Sequence, residues 1–111
     1  MKRVDAIIRP ENLDMVKDRL AQIGVEGFAV TKITGLGKQK GYAIYRCAEY
    51  REDFLPKLLL TVVADEKQVS EIVESIIEGA RTGQVGDGKI FVTALDEVIC
   101  IRTGGIDKAA C

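Results

Sequence analysis

The run Thr82–Val92, TGQVGDGKIFV, sets Gly83, Gly86 and Gly88 around Asp87 and Lys89, directly ahead of a β-prone segment. Glycines spaced this way free the backbone for positive φ and close approach, so several peptide N–H groups can converge. Converging N–H groups form a nest for an anion, phosphate above all, and Lys89 adds a point charge. The same composition also suits a plain helix-to-strand turn, and on residues alone both readings stand. The run is not a P-loop, because its spacing and its missing Lys-Ser/Thr ending do not match one. Catalysis needs a general base or nucleophile, and the chain has no histidine. Asp87, Lys89, Lys57 and the cysteines remain as candidates, and none has an evident paired partner, so a binding module is expected rather than an enzyme.

Composition narrows the classes further. The 111 residues suit one domain of modest core, near the size at which assembly helps stability. Sixteen basic against seventeen acidic residues give a net charge of −1, with no basic stripe for nucleic acid. The longest apolar run, Leu58–Ala64, is too short to span a bilayer, so the chain is not expected to be a membrane protein. Asp5 and Pro10 interrupt what would be the apolar region of a signal peptide, which points to a cytoplasmic protein. Cys47, Cys100 and Cys111 are odd in number and widely spaced, which argues against a disulfide framework or zinc site. No metal site is expected.

These residues need elements to position them. Val4–Arg9 reads as a buried strand ending at Pro10. Leu13, Val16, Leu20 and Ile23 recur on one helical face closed by Gly24. Glu26–Gly35 reads as a second strand. Residues 36–56, polar and carrying all three tyrosines, are too long for a mere connection. Leu58–Ala64 is a third strand, and Asp65 with Gln68 resembles a capping box. Val69, Ile72, Val73, Ile76 and Ile77 form the next helical stripe, with Gly79 near its end. The glycine-rich run leads into a fourth strand, KIFVTAL, and EVICIRTG adds a short terminal one. The order is the split βαβ arrangement, an α+β ferredoxin-like βαββαβ fold in a single domain. One sheet face and the edges would be bare in a monomer, so a closed oligomer is expected.

TGQVGDGKIFV resembles the C-terminal signature of the PII signal-transduction proteins. VDAIIRP resembles that family's first strand, GLGKQKG the start of its long T-loop, and YRCAEY the T-loop segment ending in a modifiable tyrosine. DFLPK and IRTG resemble the loop's far end and the terminal strand, so the likeness spans residues 1–105. It implies one PII-like domain over 1–111, with a T-loop at about 36–56 between strands 2 and 3 and a tail at about 103–111. It implies a homotrimer binding adenine nucleotides (ATP, ADP or AMP) between subunits. Gly86, Asp87, Gly88 and Lys89 would hold phosphates, with Gly35, Gly37, Lys38 and Gln39 nearby and Arg102 entering from the adjoining subunit. Ala29 and the strand around Thr61 and Val63 would border the adenine. Gln39 and Lys57 match positions that hold Mg-ATP and 2-oxoglutarate, and Tyr50 matches a tyrosine that some members modify. Through the T-loop such proteins regulate a transporter or a metabolic enzyme, by resemblance in nitrogen metabolism.

Four positions depart from the family at that site. Lys38 and Cys100 stand where arginine is usual, Ala29 where threonine is, and Thr61 where glutamate is. If the final strand puts Cys100 and Arg102 on one face, a cation is missing beside the phosphates. A lost charge-assisted contact is worth about 1.5–3 kcal/mol and affects the most highly charged ligand most. ADP or AMP is therefore expected to bind comparably to ATP or better. The departures also fit PII-like offshoots that pair adenine nucleotides with bicarbonate in inorganic-carbon uptake. A structural trimer without ligand is the reading of another class. Cys100 and Cys111 could form a redox pair, against the plainer view that Cys100 is a buried core residue and Cys111 a tail end.

Overall fold

In a computed structural model of the chain, residues 1–35 and 55–107 are described. β1 runs Lys2–Ile8, and Pro10 opens a 3-10 turn, Pro10–Asn12, that leads into α1, Leu13–Gln22. β2 is Ala29–Gly35 and β3 is Leu55–Ala64. After a second 3-10 turn, Glu66–Gln68, α2 spans Val69–Ala80 and β4 is Lys89–Ala94. The strands form one antiparallel sheet in the order β2-β3-β1-β4, the ferredoxin-like βαββαβ arrangement.

Strand alternation sorts the sheet into two faces. Val4, Ala6 and Ile8 of β1 and Leu58, Leu60, Val62 and Ala64 of β3 meet the helices. From α1 they receive Val16 and Leu20, and from α2 Ile72 and Ile76, closing one core. The helices approach closely at Gly79, where a Cβ would lie 2.8 Å from the Val16 Cα. Gly79 is the penultimate residue of α2, near its end as expected from the sequence, and there it also lets the two helices cross. Asn12 Nδ2 donates to the Ala80 carbonyl at 3.2 Å, satisfying one of the acceptors left open at the end of α2.

Among the described residues the other face has no covering layer. By register it carries Arg3, Asp5 and Ile7 of β1, Lys57, Leu59, Thr61 and Val63 of β3, and Lys89, Phe91 and Thr93 of β4. Phe91 and Val63 remain 48% and 44% exposed, large apolar area to leave in water. Asp5 is buried amid this face and accepts from Arg3 Nε and Thr61 Oγ1, each at 2.7 Å. Burial alone would raise the Asp5 pKa, but the bonds from Thr61 and Arg3 and the Arg3 charge leave it lowered.

Several sequence expectations need correction, beginning with β1, which runs Lys2–Ile8 rather than Val4–Arg9. β3 begins at Leu55 rather than Leu58. β2 begins at Ala29 rather than Glu26. Asp65 caps the short turn by accepting from the Lys67 N–H, and the helix itself starts only at Val69. The terminal strand is absent among the described residues: residues 101–103 turn back, leaving one isolated bridge, Ile99 to Ile106. A strand needs a ladder neighbour, and among the described residues this segment pairs only with itself.

Candidate functional site

Four chain segments meet at one end of the sheet. β1 leaves there after Ile8, β2 ends at Gly35 opposite Leu55, and β4 begins at Lys89 opposite Ile7. Residues 81–88 join α2 to β4 across this end. The loop crosses β1 so closely that a Cβ on Gly88 would sit 1.7 Å from the Ile7 carbonyl oxygen, and Gly88 has φ +109°. Gly86 also has positive φ, +105°. Only glycine satisfies both demands at position 88.

Asp87 organises the loop from within. Its carboxylate accepts from the N–H groups of Thr82 and Gly83, each at 2.8 Å, and from the Thr82 hydroxyl. Arg9 Nε donates to it at 3.3 Å, and Arg9 Nη2 reaches the Val85 carbonyl at 2.9 Å. Partial burial would raise the Asp87 pKa, but the bonds from Thr82, Gly83 and Arg9 outweigh it and lower it to about 2. Lys57, buried near the start of β3, donates from Nζ to the Gly86 carbonyl at 2.8 Å. Desolvation lowers the Lys57 pKa and the Arg9 charge lowers it further, while Glu11 and Asp87 oppose.

Of the residues singled out from the sequence, Gly86, Asp87, Gly88, Lys89 and Lys57 gather at this end, with Gly35 closing β2 beside them. Ala29 pairs with Thr61, and Val63 follows on the same bare face, further along β3. Thr61 turns its hydroxyl to Asp5. Gly37, Lys38, Gln39 and Tyr50 lie outside the described residues, as does residue 111 of the Cys100–Cys111 redox reading. Cys100 and Arg102 lie past the far end of β4, where Leu95 N bonds the Met1 carbonyl. β4 itself, six residues at about 3.3 Å each, is roughly 17–20 Å long, and the segment that carries them leaves from its end away from the loop.

Cys100 and Arg102 do not share a strand face, because residues 101–103 form a turn: Cys100 is buried and Arg102 exposed. Cys100 is disulfide-bonded, its partner lying outside the described residues. The odd cysteine count excludes complete pairing but not one bond, which corrects the expectation drawn from spacing. Arg9 and Thr82 were not singled out from sequence. The available sign was an arginine between a strand and Pro10, whose extended backbone (φ −71°, ψ 140°) directs it along the sheet end.

A groove of about 320 Å³ also borders the loop, between α2 and β4, lined by Val73, Ile77, Ala80, Arg81 and Lys89 among others. Ile8 and Ile76 also line it, and Thr61 and Val63 do not. Among the described residues no helix is long and apolar enough to cross a membrane, and no group of three His, Cys, Asp or Glu could hold a metal ion.

The arrangement defines a ferredoxin-like domain carrying a braced, glycine-rich and cation-bearing loop beside the roots of a long excursion. The family model for "Nitrogen regulatory protein P-II" matches residues 1–105. The chain is 50% identical over 111 residues to nitrogen regulatory protein P-II 1 of Escherichia coli strain K12, covering 99% of both. It is 49% identical over 105 residues to nitrogen regulatory protein P-II of Pasteurella multocida, covering 94% of both. Its fold is similar to that of Arabidopsis thaliana PII bound to citrate, with TM-score 0.80 and 34% identity over 98% of this chain and 88% of that one. The chain belongs to the P-II family of nitrogen regulatory proteins, which are signal-transduction regulators and not enzymes.

Proposed function

We propose that this chain binds adenine nucleotides between the subunits of a homotrimer and signals their identity through residues 36–56 to a transporter or metabolic enzyme in the cytoplasm. The observation that carries this reading is the separation within one chain of two groups that one ligand would need. Lys89 and the glycine loop lie at one end of β4 and Arg102 beyond the other. A neighbouring copy seated on the bare face would bring its own Arg102 to the loop. The exposed Phe91 and Val63 support such a seat.

ADP or AMP is the ligand expected to match or exceed ATP. Cys100, buried and disulfide-bonded, offers no cation where the family resemblance implies a second arginine. Lys57 gives one of its three ammonium donors to the Gly86 carbonyl, so a 2-oxoglutarate carboxylate would share Lys57 with the loop. Nothing in the comparisons favours an inorganic-carbon role over nitrogen regulation.

Thermal melting with ATP, ADP, AMP, 2-oxoglutarate and bicarbonate, followed by calorimetry, tests the reading. A nucleotide at 100 times its Kd should add about 2.7 kcal/mol of stability. ATP binding at least tenfold tighter than ADP would remove the ligand preference, and no shift with any nucleotide would remove the reading.

A further inference from the structure

The loop's carbonyl side is held by two cations from outside the loop. Arg9 takes the Val85 carbonyl at 2.9 Å and Lys57 the Gly86 carbonyl at 2.8 Å. In a trans peptide the C=O of one residue and the N–H of the next point in opposite directions across the same plane. Fixing the Val85 and Gly86 carbonyls toward Arg9 and Lys57 therefore turns the N–H groups of Gly86 and Asp87 the other way. Arg9 also joins the loop's tip to its base, because its Nε meets the Asp87 carboxylate that gathers Thr82 and Gly83. The Arg9 and Asp87 side chains are only 15% and 24% exposed, so the pair is partly shielded from solvent.

We propose that Arg9, with Lys57 as its companion, is a positioning residue that presents the loop's N–H groups to the ligand's phosphates without touching them. The inference rests on the reading that the loop receives nucleotide phosphate. Arg9 is poorly placed to act as a free cation, since its charge is met by Asp87 and its donors are directed at the loop's acceptors. Its effect runs through the orientation of two peptide planes. A planar fork suits this task better than an ammonium, because it fixes two acceptors in one geometry.

The test is calorimetry of the full chain with ADP and with adenosine, on wild type, Arg9→Met, Arg9→Lys and Arg19→Met. Arg19 pairs with Glu78 on the outer helix surface, so its variant loses the same charge and an ion pair far from the loop. Arg9→Met should weaken ADP by about tenfold or more, the worth of a charge-assisted contact, and leave adenosine within about twofold. Arg9→Lys should also weaken ADP, though less, and Arg19→Met should not. The amide signals of Gly86 and Asp87 should shift in Arg9→Met without nucleotide. ADP binding by Arg9→Met or Arg9→Lys equal to wild type would overturn the inference, as would an equal loss of ADP and adenosine. Wild type that binds neither ligand would instead strike down the nucleotide reading itself, and this inference with it.

Discussion

Two residues of the loop account for most of its geometry. Gly88 tolerates no side chain, since a Cβ would collide with the Ile7 carbonyl oxygen on a backbone already at positive φ. Gly88→Ala is expected to cost about 2 kcal/mol or more, because strain and overlap add. Urea unfolding checks the stability, and an ADP titration of the folded fraction should show lost affinity. Asp87 makes a pH-dependent contribution. Its folded pKa of about 2 lies below its ordinary value of 3.8, so the stability it adds is fully present above about pH 4. It is lost as pH falls through about 2. Between pH 4 and 2 the wild type should lose stability relative to Asp87→Asn, which lacks this titration, and chemical denaturation across that range would show it. Equal slopes would contradict the assignment. At this scale the glycines and Lys89 were legible in the sequence, because type and spacing alone carry their chemistry. The Arg9–Asp87 pair was not: 78 residues separate the two, and no local pattern records a tertiary ion pair.

Helices were legible because apolar residues at spacings of three and four have one physical meaning, a buried stripe. Strand limits were less so. Pro56 reads as a breaker, yet it lies within β3 at a point where β1 has already ended, so its missing N–H leaves no ladder bond unmade on that side. Lys57 was singled out by type and resemblance, but its burial and its bond to the Gly86 carbonyl are tertiary and have no local sign. The terminal segment shows the opposite failure. EVICIRTG has the residues of a strand, but strands form only against a partner, and the described residues supply none there beyond one isolated bridge. Gly79 shows how an element's spacing depends on one residue. Gly79→Ala would drive α1 and α2 apart and should cost about 1–3 kcal/mol, the usual penalty for overpacking. Thermal unfolding checks this.

The described residues present a sheet with one face packed against the helices and the other without a covering layer, and the glycine loop precedes β4 in the chain while Arg102 follows it. Both features call for further copies of the chain. Sedimentation equilibrium should report a trimer, and a stable monomer at micromolar concentration would contradict the assembly. Family membership, shown by the match over residues 1–105 and by relatives near 50% identity, makes the chain a signal-transduction regulator. The central claim is that each nucleotide is held by the loop of one subunit and Arg102 of the next. Complementation tests it most directly. Lys89→Ala and Arg102→Ala chains, each expected to bind ADP at least about tenfold more weakly than wild type, are unfolded together and refolded as mixed trimers. In a random equimolar mixture about a quarter of the interfaces join an intact loop to an intact Arg102, by the statistics of a closed ring. Calorimetry should therefore recover wild-type ADP affinity at about a quarter of the sites. No recovery in mixed trimers, or full affinity in the Arg102→Ala parent alone, would contradict a site shared between subunits.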